Sequence, residues 1–290
     1  MSRAAFILAA LIAVAAGPVW AACPNVTVRS ISPTLQVYDP FAPGPTQLSF
    51  EVQVRNGGEA ACPIELVMRP AGGGLELSGA GGSIPYAFIE PGGLQSGNVV
   101  GPLTLQVPPH EDRSVAFRAE LPIGSVVAPG TYEQALDLVV TNDGDTLADR
   151  PISLSAMVSA RAQMSISGAS APGRGSVGMA PPSIDFQTLE AGEQARVYIN
   201  AWANTSVQIS LRSDHGGVMQ HEDGRRLPPV PYSIVFDGEP QSLNAPVVIS
   251  RTPPMSLSGA SYPLVITVGD VRGRYAGRYS DIITVTVDPL

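Results

Sequence analysis

The stretch Ala128-Pro129-Gly130-Thr131-Tyr132-Glu133-Gln134-Ala135-Leu136-Asp137-Leu138-Val139-Val140 returns, about 146 residues later, as Arg274-Tyr275-Ala276-Gly277-Arg278-Tyr279-Ser280-Asp281-Ile282-Ile283-Thr284-Val285-Thr286. A second landmark keeps the offset: Ile84-Pro85-Tyr86-Ala87-Phe88-Ile89-Glu90-Pro91-Gly92 recurs as Val230-Pro231-Tyr232-Ser233-Ile234-Val235-Phe236-Asp237-Gly238. One offset at two landmarks marks a duplicated domain and not a short repeat array. After its Tyr132 stretch the first copy turns at Asn142-Asp143-Gly144-Asp145 and enters a further strand over 152–157. After its Tyr279 stretch the second copy has only Asp288-Pro289-Leu290. The pattern predicts a C-terminal domain that lacks its last strand, which leaves a groove and two unpaired edges.

Both copies read as all-β. The chain has 28 Pro and 30 Gly, only 14% charged residues and no lysine. Proline and glycine scattered between Val, Ile, Thr and Leu runs give many short strands and turns. The first copy gives strand signals at 26–31, 35–38, 48–54, 64–68, 86–89, 103–107, 114–119, 131–140 and 152–157. In Leu48-Ser49-Phe50-Glu51-Val52-Gln53-Val54 apolar and polar residues alternate, the period of a half-buried strand. The second copy gives 183–186, 195–201, 206–211, 232–236, 247–250, 262–268 and 278–287. The spacing predicts two tandem immunoglobulin-like β-sandwich domains, 22–168 and 183–290, joined by a turn-rich linker, 169–182. In the last strand Ile283, Val285 and Val287 share one face, which is predicted to look into the sandwich core and to line the groove.

Residues 1–21 read as a secretory signal: Arg3, an apolar run over 4–16, the Gly17-Pro18 break and a small-x-small site at Val19-Trp20-Ala21. The run is too short to span a bilayer, which takes about 20 apolar residues. Cys23 follows Ala21-Ala22, so lipidation of Cys23 is an alternative, although Trp20 stands where such sites favour leucine. In an oxidising compartment Cys23 and Cys62 predict one structural disulfide, worth roughly 4 kcal/mol for a loop of about 40 residues. A formal charge of −8 and a pI near 4.9 argue against nucleic acid and against an anionic membrane surface.

The chemistry-bearing motifs fail on context. Gly173-Arg174-Gly175-Ser176-Val177-Gly178 matches G-x-G-x-x-G, yet Met179-Ala180-Pro181-Pro182 cannot open the helix that would hold a pyrophosphate. Asp214, His215, His221, Glu222 and Asp223 share one loop, but their spacing fits no strong metal pattern and a solvated loop is the reading. His110, beside Pro108-Pro109, reads as an exposed turn residue. No G-x-S-x-G and no Cys/His pair stands in a usable context, so the chain reads as no enzyme and no cofactor is implied. The sequons at Asn25 and Asn204 are frequent by chance.

The second copy resembles the spore coat protein U family, the β-sandwich pilins of archaic chaperone–usher pili. The resemblance lies in Tyr275-Ala276-Gly277-Arg278-Tyr279-Ser280-Asp281-Ile282-Ile283-Thr284-Val285-Thr286-Val287, in Leu227-Pro228-Pro229-Val230-Pro231-Tyr232-Ser233-Ile234, and in Ile184-Asp185-Phe186 through Ala191-Gly192. It covers 183–290, with a fainter echo in the first copy at Pro85-Tyr86 and Gly130-Thr131-Tyr132. The family often carries a cysteine near 201–204, where this chain has none.

The resemblance implies an incomplete sandwich completed by a strand from a neighbouring pilin subunit or, before assembly, from a periplasmic chaperone. An usher and the cell surface follow from the same likeness. A self-complete first domain ahead of an incomplete second one resembles a two-domain tip adhesin, and the first strand signal so near the cleavage site leaves no arm to donate. Another pilus or coat subunit, or an assembly chaperone, are the alternatives; chaperones use basic cleft residues to hold a C-terminal carboxylate, and this chain is acidic. Contact with an unidentified surface ligand falls to loops of the first domain. The apolar loop over 38–45, with Tyr38 and Phe41, is one candidate, and the segment from Phe88 to Leu94 is another; a loop that packs over the sandwich end is the alternative and the favoured reading of such apolar residues.

Overall fold

A computed structural model describes residues 23, 25–33, 36–89, 100–168, 183–224 and 226–290. The expectations for the signal at 1–21, the linker at 169–182 and the glycine motif at 173–178 lie outside these residues. The described residues form strands and no helix, so no helix is long and apolar enough to cross a membrane.

The first eleven strands are β1 (Val26–Pro33), β2 (Gln36–Tyr38), β3 (Thr46–Asn56), β4 (Cys62–Pro70), β5 (Glu76–Gly79) and β6 (Gly82–Pro85), then β7 (Ala87–Ile89), β8 (Val100–Val107), β9 (Asp112–Leu121), β10 (Gly130–Asn142) and β11 (Asp145–Val158). One sheet runs β1-β3-β9-β7 and its partner β2-β11-β10-β4-β8, with the β5–β6 hairpin attached to β10. The chain changes sheets between β1, antiparallel to β3, and β2, parallel to β11. The β10–β11 hairpin closes through Asp143 (φ 50°) and Gly144 (φ 89°), the two left-handed residues that a tight hairpin with right-handed twist requires. Strict alternation fills the space between the sheets: Leu48, Phe50, Val52 and Val54 of β3 are buried against Leu136, Leu138 and Val140 of β10 in one core. Phe50 and Phe117 stack at 5.4 Å within it. The predicted disulfide joins Cys23 to Cys62, the first residue of β4.

The remaining strands are β12 (Ala162–Ser167), β13 (Gln194–Ala203), β14 (Val207–Ser213), β15 (Val218–His221) and β16 (Val230–Phe236), then β17 (Glu239–Gln241), β18 (Val247–Arg251), β19 (Ala260–Val268), β20 (Tyr279–Ser280) and β21 (Ile283–Pro289). They make a sheet β12-β13-β19-β16-β15-β20 and a three-stranded sheet β18-β14-β21 around a second core. Residues 183–186, predicted as a strand, give only a single bridge at Ser183, while Ile184 and Phe186 lean on the core.

The change of domain falls earlier than the 168/169 boundary read from composition. β12 pairs along its whole length with β13, so it belongs to the second sandwich. Its partner was not legible from the sequence, because an isolated strand does not say which sheet it joins. The joint is therefore Ser159-Ala160-Arg161. Fully buried Asn204 grips it: Arg161 N–H donates to Asn204 Oδ1 at 2.8 Å, Asn204 Nδ2 donates to Ser159 O at 2.9 Å, and Asn204 N–H donates to Arg161 O at 3.2 Å. The Asn204 sequon is thus spent on structure. Asn204→Ala leaves buried donors and acceptors of the joint unpaired and is expected to lower the second domain's stability by about 1–3 kcal/mol, read by thermal unfolding.

Candidate functional site

Each copy carries a tyrosine whose hydroxyl returns to the backbone four residues upstream. Tyr132 Oη donates to Ala128 O at 2.7 Å and Tyr279 Oη to Tyr275 O at 3.0 Å. Such a tyrosine corner marks the start of the sixth strand of an immunoglobulin-like sandwich. It also sets the register between copies: Gly130-Thr131-Tyr132 lies on Gly277-Arg278-Tyr279, and Leu136, Leu138 and Val140 correspond to Ile283, Val285 and Val287. Gly277 has φ 147°, and a Cβ there would overlap the buried His221 ring, so glycine is required by both conformation and space.

The equivalent strands have different surroundings. β10 has β11 on one side and β4 on the other, and Leu136, Leu138 and Val140 are 0% exposed. Among the described residues β21 pairs with β14 alone, and Ile283, Val285 and Val287 are only half-buried against the second core. β12, the edge of the opposite sheet, is also open on one side, with Ile166 half-buried and Met164 exposed. No Asp, Glu, Lys, Arg or Pro occurs in 162–167 or 283–287. Over these residues the edges lack the charges and prolines with which proteins block strand addition; β21 carries them only at its end, Asp288-Pro289. An incoming strand with neutral side chains, apolar at alternate positions, would match this face. Leu138→Ala is expected to cost about 2–5 kcal/mol, whereas Val285→Ala, at a half-exposed site, should cost under about 1.5 kcal/mol; urea unfolding of each variant measures both.

A polar cluster lies at the head of β21. Ser213 Oγ and Tyr232 Oη donate to Asp281 Oδ2, while the His215 backbone N–H donates to Oδ1 at 3.1 Å. The Asp281 side chain is 3% exposed, and His215 Nδ1 lies 3.0 Å from Oδ1. Burial, and next the bond to Asp281, pushes the Tyr232 phenol above its ordinary range; burial does the same to Tyr86. Ser213 gives its proton to the carboxylate and not to the imidazole, so the arrangement contains no Ser–His relay.

The loop reading of the second histidine is corrected. His221 is buried, its Nδ1 accepts from Asp223 N–H at 3.1 Å, its Nε2 faces Ala276 O at 3.1 Å, and Tyr279 packs edge-on at 4.9 Å. Among the described residues no three His, Cys, Asp or Glu side chains are placed to hold a metal ion.

The apolar loop of the first domain is corrected too. Tyr38 is 1% exposed, donating to Pro122 O at 2.8 Å and accepting from Ser125 N–H at 3.1 Å; burial raises its phenol pKa. Phe41 is half-buried over an Asx turn in which its N–H donates to Asp39 Oδ1 at 2.9 Å. Asp39 lies 3.5 Å from Arg161 of the joint, which puts this loop at the end of the first domain nearest the second. Phe88 is a core residue, and 90–99 lie outside the described residues.

The opposite end was missed. There the turns after β3, β8 and β10 gather beside the disulfide. Buried Asn56 donates through Nδ2 to Ala60 O (2.7 Å) and Val107 O (3.0 Å), and buried Asn142 donates to Pro63 O (2.6 Å). Glu59, His110, Glu111 and Arg113 line the rim, with His110 3.3 Å from Glu59 and Arg113 3.2 Å from Glu111. The available signal was an asparagine at two strand ends, each able to bond the backbone around it.

No family model and no curated protein sequence matches the chain. The spore coat protein U family is thus not shown by a family model. Among solved structures, the chaperone–tip adhesion subunit pre-assembly complex CsuC–CsuE of the archaic Csu pili of Acinetobacter baumannii is 16% identical, with 84% of this chain and 91% of that chain covered, at a TM-score of 0.46. The CupB6 tip adhesin of Pseudomonas aeruginosa is 10% identical, covering 90% and 94%, at 0.31. The CFA/I adhesin CfaE of enterotoxigenic Escherichia coli is 10% identical, covering 93% and 79%, at 0.34.

Proposed function

We propose that this chain is the tip adhesin of a surface fibre built by a chaperone–usher pathway, its second domain accepting a strand from a partner. The observation that carries the reading is the contrast between two equivalent strands. β10 is flanked by β11 and its apolar face is fully buried; among the described residues β21 has no such neighbour, and its face is half-buried. A face of Ile283, Val285 and Val287 left partly in water beside unprotected edges is a site for β-augmentation. The partners this implies are a periplasmic chaperone that supplies the strand first, an usher, and an adjacent pilin that replaces the chaperone. The pairing of β1 with β3 inside the first sandwich supports the tip position, because that strand is taken up by its own domain. The rim of Glu59, His110 and Glu111, at the end of the first domain away from the joint, is the contact surface in this reading. Export through the signal at 1–21, and attachment or biofilm formation as the outcome, belong to the same proposal.

The test is recovery of the tagged full-length chain from the periplasm of its host, with its partners identified by mass spectrometry. A two-domain chaperone at one-to-one stoichiometry, with residues 283–287 protected in the complex, supports the reading. A monodisperse monomer whose 283–287 amides are already protected contradicts it.

A further inference from the structure

We infer that Asp281 is the positioning residue that holds β21 ready for an incoming strand. The inference rests on the reading of β12 and β21 as the acceptor edges. The strand that begins at Tyr279 is broken in two: β20 pairs with β15, and β21 pairs with β14. Asp281-Ile282 is the crossing between the two sheets, and Asp281 ties it to both. Ser213 ends β14, Tyr232 belongs to β16 of the larger sheet, and His215 lies in the turn that links β14 to β15. A buried carboxylate is stabilising only when its lone pairs are filled, and here both oxygens are occupied.

The first copy supplies an internal comparison. Tyr86, the counterpart of Tyr232, donates to Gln134, the counterpart of Asp281, and Gln134 Nε2 passes the bond on to Gly74 O. The tyrosine is kept while the acceptor changes. Gln134 sits in the middle of β10, which is held continuously by β11 through Glu133↔Ser155 and Gln134↔Leu154. A neutral amide suffices there. Among the described residues β21 pairs with one strand, and at its head stands a carboxylate that accepts from β14, from β16, from the turn between β14 and β15, and from its own neighbour Ile282 N–H at 2.8 Å. Charge-assisted bonds are about twice as strong as neutral ones. They anchor the strand at the end where a second neighbour is missing.

The test installs the first-domain residue, Asp281→Gln, in the full-length chain and in a version with a Val/Thr-alternating strand fused after Leu290. Amide exchange at 283–287 and capture of a fluorescent Val/Thr-alternating peptide are followed. In the unfused chain Asp281→Gln should speed exchange at 283–287 and slow capture, each by about tenfold or more; in the fused chain, where a second strand holds β21, exchange should stay within about twofold of the parent. Tyr232→Phe, which removes one donor and keeps the carboxylate, should give a smaller effect of the same sign. Unchanged exchange and capture in the unfused variant overturn the proposal, as does an equal effect in fused and unfused chains, which would make Asp281 a general stabiliser. If the fused strand gives the parent chain no protection at 283–287, the acceptor reading itself falls.

Discussion

A strand of alternating valine and threonine fused after Leu290 through a short flexible turn is expected to raise the stability of the second domain by about 3 kcal/mol. Ile283, Val285 and Val287 are only half-buried. Fully burying a Val or Ile is worth about 1.5–3 kcal/mol, so completing the burial of Ile283, Val285 and Val287 contributes about 1 kcal/mol each. The donor's own apolar side chains enter the same core and offset the cost of ordering it, about 1–2 kcal/mol per residue. In calorimetry the second-domain transition should move up by roughly 10 °C or more while the first stays fixed. The control carries aspartate at the inward donor positions and should give no shift, because charges cannot enter that face unpaired. A shift of equal size with both fusions would mean that the added residues act elsewhere.

The second large effect belongs to the first domain. Replacing Cys23 and Cys62 by serine is expected to cost about 4 kcal/mol, the loop-closure value for a separation of 39 residues. The bridge ties the segment ahead of β1 to the head of β4, next to the turns that Asn56 and Asn142 hold. The variant should unfold its first domain at lower temperature, and the second domain, which has no cysteine, should be unmoved. Adding reductant to the parent chain should reproduce the change. An unaltered first transition in both experiments would show that the bridge does not bear on stability.

Much of this architecture was legible before any coordinates, for physical reasons. The duplication was visible because the tyrosine corner and the Pro-Tyr strand are constrained by packing in both copies. The β10–β11 hairpin was visible because Asp143-Gly144 is turn chemistry with few alternatives. The alternation of Ile283, Val285 and Val287 fixed which face looks inward, and that face packs on the second core. The partner of β12 could not be read, since alternation says that a strand exists and not which sheet it joins.

The loops were read least well. An apolar loop suggested a contact surface at Tyr38 and Phe41, yet Tyr38 is a core residue with both hydrogen bonds of its hydroxyl satisfied inside the protein. His221 looked like part of a solvated acidic loop because its sequence neighbours are charged. Its environment is set instead by Gly277 and Tyr279, more than fifty residues away. The Asp281 cluster was within reach: once Tyr132 is aligned with Tyr279, an offset of 147, Gln134 falls on Asp281, and Tyr86 and Tyr232 face them from the other landmark. Nothing local in Ser-Asp-Ile, however, says that the carboxylate is buried.

The claim on which the account turns is that β21 is an open strand while its first-domain counterpart is closed. Hydrogen exchange of the full-length chain, resolved at 136–140 and 283–287, tests it without any partner or substitution. The account predicts slow exchange across 136–140 and faster exchange across 283–287, where alternate amides face the free flank. Equal protection of the two segments would contradict it, because β21 would then already have the second neighbour it is proposed to receive.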